Sequence, residues 1–201
     1  MMLEKVNEIL HFWFGTDKQN YLANSAIWWK GTKELDIEIS ERFAKVHHLA
    51  ATGQLQAWLH QPQSCLAFII LLDQFSRHIY RDTPLAFAQD KLARAAFLRG
   101  KEHKLDKELH LVQRQFFYMP LEHSEDLDDQ KLCLALMKQL IHEARETDPQ
   151  YLKSLEQAYR YAERHYDIIQ LFGRFPHRNE ILERESTQEE LVFLNLPNSS
   201  F

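Results

Sequence analysis

The sequence predicts an all-α protein of stacked antiparallel helical hairpins, and three observations carry that prediction. Apolar residues recur at i, i+3, i+4 and i+7 along the chain, the spacing of one buried helix face. Glycine and proline are scarce, 5 and 6 among 201 residues, so few turns are available and long helices are favoured over a many-stranded sheet. No short stretch alternates apolar and polar with period two, so no strand is expected.

The elements follow in order. Val6, Ile9, Leu10 and Trp13 share one stripe, closed by Gly15 as a left-handed cap. A second helix is expected from about Thr32 to Thr52, with Ile39, Phe43, Val46 and Ala50 inward and Gly53 beyond its end. After a break at Pro62 a third runs from about Gln63 to Tyr80. Thr83-Pro84 reads as N-cap and first-turn proline of a fourth, and Gly100 as its terminator. Asp106 starts a fifth, stopped at Pro120. A sixth covers about Ser124 to Glu146, with Ser124 or Asp126 as cap. Asp148-Pro149 repeats the cap-proline device before a long helix whose stripe is Leu152, Leu155, Tyr159, Ala162, Tyr166 and Ile169, ended by Gly173. Thr187-Gln188-Glu189-Glu190 is a capping-box pattern opening a last short helix through Phe193. No low-complexity linker divides the chain, so residues 1–201 read as one α-helical domain.

Composition bounds the function. The net charge of −5 opposes nucleic-acid binding by bulk charge. The most apolar run, Cys65 to Leu72, falls far short of the ~20 residues of a membrane helix. The first residues carry acids where a secretory signal has a basic region. Cys65 and Cys133 sit in helical apolar patterns, which points to buried free thiols in a reducing compartment, with the cytoplasm as the expected location. There is no His-Glu-x-x-His, Cys-x-x-Cys, phosphate-binding P-loop or Gly-x-Ser-x-Gly elbow, so no metal or cofactor is expected.

Three segments hold more polar groups than a helical scaffold needs. In Leu72-Asp73-Gln74-Phe75-Ser76-Arg77-His78-Ile79-Tyr80-Arg81, helical spacing puts Asp73, Arg77 and Tyr80 on the stripe begun by Leu66 and Ile70. The plain alternative is a solvated Asp–Arg pair worth only ~0.2–0.5 kcal/mol. In Tyr118-Met119-Pro120-Leu121-Glu122-His123-Ser124-Glu125-Asp126, capping explains Ser124 to Asp126 but not the carboxylate beside an imidazole at Glu122-His123. In Phe172-Gly173-Arg174-Phe175-Pro176-His177-Arg178-Asn179, an aromatic-flanked turn holds Arg174, His177 and Arg178 close together. His165 borders the long helix's stripe and reads first as a hydrogen-bonded core histidine.

On these same stretches, together with Phe12-Trp13-Phe14-Gly15 and Ser186-Thr187, the chain resembles a bacterial family known as domain of unknown function 924. The resemblance implies an all-α, tetratricopeptide-like superhelix and no known activity. Its signature positions are polar: here Asp73, Gln74, Arg77, Tyr80, Arg81, Glu122, His123, Arg174, His177, Arg178 and Asn179. Glu183 departs from the family, which usually has Gly there. Two functions compete. The first is a small-molecule site for an anionic ligand bearing phosphate or carboxylate, with Asp73, His123 and His177 as acid–base candidates and Arg77, Tyr80, Arg81, Glu122, Arg174, Arg178 and Asn179 as ligand contacts. Whether it is an enzyme stays open. The second is a scaffold for a protein or peptide partner, with the same residues as structural ion pairs.

Overall fold

A computed structural model describes residues 2–17, 19–29, 31–197 and 199 of the chain; Met1, at the start of the acidic N-terminal stretch, lies outside them. Its α-helices are α1 (Met2–Phe14), α2 (Lys33–Ala51), α3 (Pro62–Ile69), α4 (Ser76–Ile79), α5 (Asp90–Glu102), α6 (Leu111–Glu122), α7 (Leu127–Thr147), α8 (Leu152–Phe172) and α9 (Gln188–Leu194). No strand occurs among the described residues. Three of the expected N-caps act as such, whereas Asp148 makes no side-chain cap bond and Pro149–Tyr151 forms a 3₁₀ turn before α8. Thr32 accepts from the Leu35 N–H at 3.3 Å, Asp126 from Asp128, and Thr187 and Glu190 form a reciprocal capping box. Gly15, Gly53 and Gly173 follow α1, α2 and α8 with φ of +86°, +77° and +68°.

Several features depart from the sequence reading. Asp106 does not start the fifth helix: it lies in a 3₁₀ turn, Leu105–Glu108, and α6 starts at Leu111 with His110 as its cap. The third expected helix is continuous, but a π-helical turn, Ile70–Phe75, separates α3 from α4. One residue more per turn rotates everything after it relative to an α-helical wheel. Pro120 does not stop α6; it sits inside the helix, which ends at the cap His123. Its missing N–H frees the carbonyl four residues back, a defect tolerated two residues from a helix end. Thr83-Pro84 opens only a short 3₁₀ turn, Pro84–Ala86, and α5 starts at Asp90. Gly100 lies within α5, and the helix runs on to Glu102.

The core explains that glycine. Ala93, Ala96 and Gly100 are buried on one face of α5, which packs on α3 and α6. A Cβ at Gly100 would lie 2.5 Å from Phe117 Cζ and 3.1 Å from Cys65 Sγ, so the helices meet here because nothing projects. Further along, Trp13, Phe43, Phe75 and Phe116 join α1, α2, the π turn and α6. The rings sit edge-on at 5.5 Å between Trp13 and Phe75 and 5.6 Å between Trp13 and Phe116. Cys65 to Phe75 are fully buried apart from Gln74, so the central helix is covered on all sides. The pair α7 and α8 packs against α6, and a small satellite cluster of Ile168, Ile169 and Phe175 supports the C-terminal segment. Both cysteines are buried free thiols, and no described helix is long and apolar enough to cross a membrane. Glu183, the departure from the resembled family, has φ of +53°, the left-handed conformation that glycine adopts without penalty.

Gly100→Ala is expected to destabilise the protein by about 1–3 kcal/mol through overpacking against Phe117. A denaturant midpoint equal to the parent's would show that the ring moves aside freely.

Candidate functional site

The central helix, α6 and the loop after α8 meet around one buried carboxylate. Asp73 is fully buried in the π turn, and its Oδ1 lies 2.7 Å from His123 Nδ1 at the end of α6. A carboxylate can only accept, so Nδ1 carries the hydrogen and His123 Nε2 is left as an acceptor. Gln74 Nε2 donates to the other oxygen at 2.5 Å. Arg77, one turn on, donates to the Asp73 backbone carbonyl and has Nη1 3.6 Å from Oδ1. Its two terminal nitrogens also form a fork on Asp90, at 3.1 and 3.2 Å.

Arg178 approaches the same Asp90 from the loop after α8, with a single contact of 3.4 Å from Nη1 to Oδ2. Its guanidinium lies between two rings, 4.7 Å from the centroid of Phe87 and 4.4 Å from that of Phe175. The residue is 6% exposed, and its Nε is buried with no hydrogen-bond partner. Glu122, also buried, has Oε1 3.2 Å from His165 Nδ1, which is 2.8 Å from the Tyr161 carbonyl. The His123 and His165 rings stand 5.9 Å apart, and Phe175 bridges from His165 towards His177.

Burial and charge split the two carboxyls. Burial works against ionisation of Asp73, but the pull of His123 and Arg77 overrides it and holds that carboxyl well below its ordinary range. Glu122 has burial and the Asp73 charge against it, and Arg77 offsets only part, so its carboxyl is raised to about 8. Burial, then Arg77, lowers His123; burial, then Arg178, lowers His177 to about 4. Burial and the neighbouring Arg77 bring Arg178 down to about 10. At neutral pH the cluster therefore holds ionised Asp73, a neutral acid at Glu122 and a neutral base at His123. Two carboxyls pushed apart in this way are the arrangement that supports acid–base roles.

Asp73, Arg77, Glu122, His123, His177 and Arg178 lie around this one carboxylate. The other four named candidates are held elsewhere. Tyr80 lies against His47, 5.4 Å between rings, because the π turn shifts the face after Asp73. Arg81 forks Asp36 on α2 at 2.5 and 2.7 Å. Arg174 forks Glu190 at 2.6 and 2.7 Å, and Asn179 bonds Ser186 and Glu190. Arg174 and Asn179 tie down the C-terminal segment, and Glu125 completes that network through Arg184 and the Phe175 N–H. Asp90 and Phe87 were not legible as site residues. Asp90 reads in sequence as an ordinary polar position inside the helix expected from Thr83-Pro84, and nothing local marks its two arginine partners. Among the described residues, no group of three or more His, Cys, Asp and Glu is arranged to hold a metal ion.

The split makes stability pH-dependent. Glu122 is raised in the folded state, so its contribution is fully present below its unfolded value of 4.5 and is lost as pH rises through about 8. His177 and His47, each lowered to about 4, act oppositely, but only up to their unfolded value of 6.5. Between pH 6.5 and 8 the loss from Glu122 is therefore unopposed by these histidines, with a slope of up to about 1.4 kcal/mol per pH unit. Glu122→Gln is expected to flatten that slope in denaturant titrations across the window, and a slope identical to the parent's would contradict the assignment.

The comparisons agree with this architecture. A solved structure described as a protein of unknown function from Agrobacterium tumefaciens superposes with a TM-score of 0.79 at 33% identity, covering 97% of this chain and 99% of that one. No curated protein matches the chain significantly. The family described as "Bacterial protein of unknown function (DUF924)" matches residues 9–198, nearly the whole chain, and the protein belongs to that family.

Proposed function

We propose that the cluster around Asp73 is a small-molecule site that takes an anionic ligand, phosphate- or carboxylate-bearing, on Arg178. One observation supports this above the rest: Arg178 is a buried guanidinium with less compensation than it needs. Among the described residues its only hydrogen bond is the 3.4 Å contact to Asp90, and Asp90 is already forked by Arg77. A buried cation left so short of partners favours an incoming anion. Beside it, His123 oriented by Asp73 is suited to accept a proton from the ligand, the catalytic option for this site. Buried thiols suit a reducing compartment, and a cytoplasmic protein of one domain fits the reading.

The test separates ligand contact from structural pairing. Arg178→Met keeps apolar volume between Phe87 and Phe175, and Asp90 keeps its Arg77 fork, so the variant should melt close to the parent. Phosphate or a carboxylate at ~100 times its dissociation constant should stabilise the parent by about 2.7 kcal/mol, several degrees in a chain of this size. The variant should lose that response. A variant that melts far below the parent, with no anion response in the parent, would return Arg178 to a structural role.

A second reading, a scaffold for a peptide, is favoured by one different feature. An open groove of about 770 Å³ runs between α7 and α8, lined by Lys131, Lys138, Arg160, Arg164, Tyr159 and Tyr166 among others, and by none of the cluster residues. On this reading, peptides selected from a display library by the parent and lost by Lys138→Glu/Arg160→Glu should be rich in Asp and Glu. Retention of the same peptides by both would remove the groove from consideration.

A further inference from the structure

Anion binding at Arg178 gives no role to Glu122, the last residue of α6. Its carboxyl faces Asp73 and Arg77 from the central helix, Cys133 from α7 and His165 from α8, with His123 next in the chain. Arg77 is the one cation among these groups, and its fork is engaged by Asp90. A second negative charge beside Asp73 therefore has no cation of its own, and in such a surrounding a carboxyl keeps its proton. Oε1 lies on the His165 Nδ1 side at 3.2 Å, which leaves the hydrogen on Oε2. Among the described residues none hydrogen-bonds Oε2, and the side chain is not sealed, with 8% of it open.

His123 is complementary. Its Nδ1–H is committed to Asp73, its Nε2 has no hydrogen bond among the described residues, and 11% of the side chain is open. Both side chains border the same imidazole: Glu122 touches His165, and the His123 ring stands 5.9 Å from it. The two atoms left for a ligand are thus one O–H donor and one nitrogen acceptor. A carbonyl satisfies only the first and a protonated amine only the second, whereas a hydroxyl satisfies both.

We propose that Glu122 and His123 together hold a ligand hydroxyl, so that the ligand is a hydroxylated anion such as a hydroxy acid or a polyol phosphate. This rests on the anion reading of Arg178, and the experiment separates the two. Matched probes share one anion and differ in one hydroxyl: lactate against propionate, and 2-hydroxypropyl phosphate against propyl phosphate, with pyruvate as the carbonyl control. By titration calorimetry at pH 6.5 the parent should bind each hydroxylated member at least about ten-fold more tightly than its plain partner, since a site built around a hydroxyl rejects its absence. Pyruvate should not share the gain. At pH 9, with Glu122 ionised, the ratio should collapse. The plain member of each pair absorbs any change at Arg178, so the ratio isolates the hydroxyl contacts. Glu122→Gln, whose amide still donates, should keep the preference at both pH values.

Equal affinity within both pairs at pH 6.5 would overturn the hydroxyl proposal and leave the anion reading standing. So would a preference that the parent keeps at pH 9, or one that Glu122→Ala retains. If no member of either pair binds the parent, the anion reading falls and this proposal falls with it.

Discussion

A single carboxylate enclosed on every side governs the architecture around it. The central helix is covered by α1, α2, α5 and α6, so Asp73 has no access to water and must be satisfied by what surrounds it. An isolated ionised carboxylate in such a place would cost many kilocalories per mole. His123, Gln74 and Arg77 remove that penalty, and in doing so they fix the end of α6 and the course of the helix after the π turn. The rest of the site follows from the same electrostatic demand. Arg77 needs Asp90, Asp90 draws Arg178, and Arg178 brings the loop after α8 against α5.

The same demand sets a limit on excess charge. Four arginines named from the sequence suggest a strongly cationic pocket, yet the cluster contains two, matched by Asp73 and Asp90. A group of near-zero net charge discriminates by the placement of donors and acceptors more than by long-range attraction. The arrangement suits recognition at short range, with little electrostatic steering from afar.

Helix positions were largely legible because apolar spacing and caps are local signals. Thr32, Asp126, Thr187 and Gly173 announce themselves within four residues of the backbone groups they satisfy. Gly100 and Pro120 misled for one reason: both were read as punctuation, while tertiary packing assigns them elsewhere. Gly100 is where a ring and a thiol come too close for a methyl group, and Pro120 sits near enough to a helix end to be absorbed. The π turn left no signal in periodicity, and it is what removed Tyr80 from the expected face. Among the site residues, Glu122 and His123 stood out because no local role explained them, and Asp73 because helical spacing put it on a buried stripe. Arg174 and Asn179 had equally unexplained polarity, but their partner Glu190 was already accounted for as a capping-box residue. Asp90 was hidden by the misplaced helix start, which put it two turns inside a helix as an ordinary polar position.

The C-terminal wall of the cluster is fastened differently from the rest. Its apolar support is three buried residues, Ile168, Ile169 and Phe175, set apart from the main core. Most of its attachment is ionic: Arg184 with Glu125, and Arg174 with Glu190 and the Glu185 carbonyl. Partly exposed pairs of this kind are screened by salt, while the core that carries Asp73 is not. The wall bearing His177 and Arg178 therefore leans on contacts that ionic strength weakens, whereas the helices behind it rest on apolar packing that it does not.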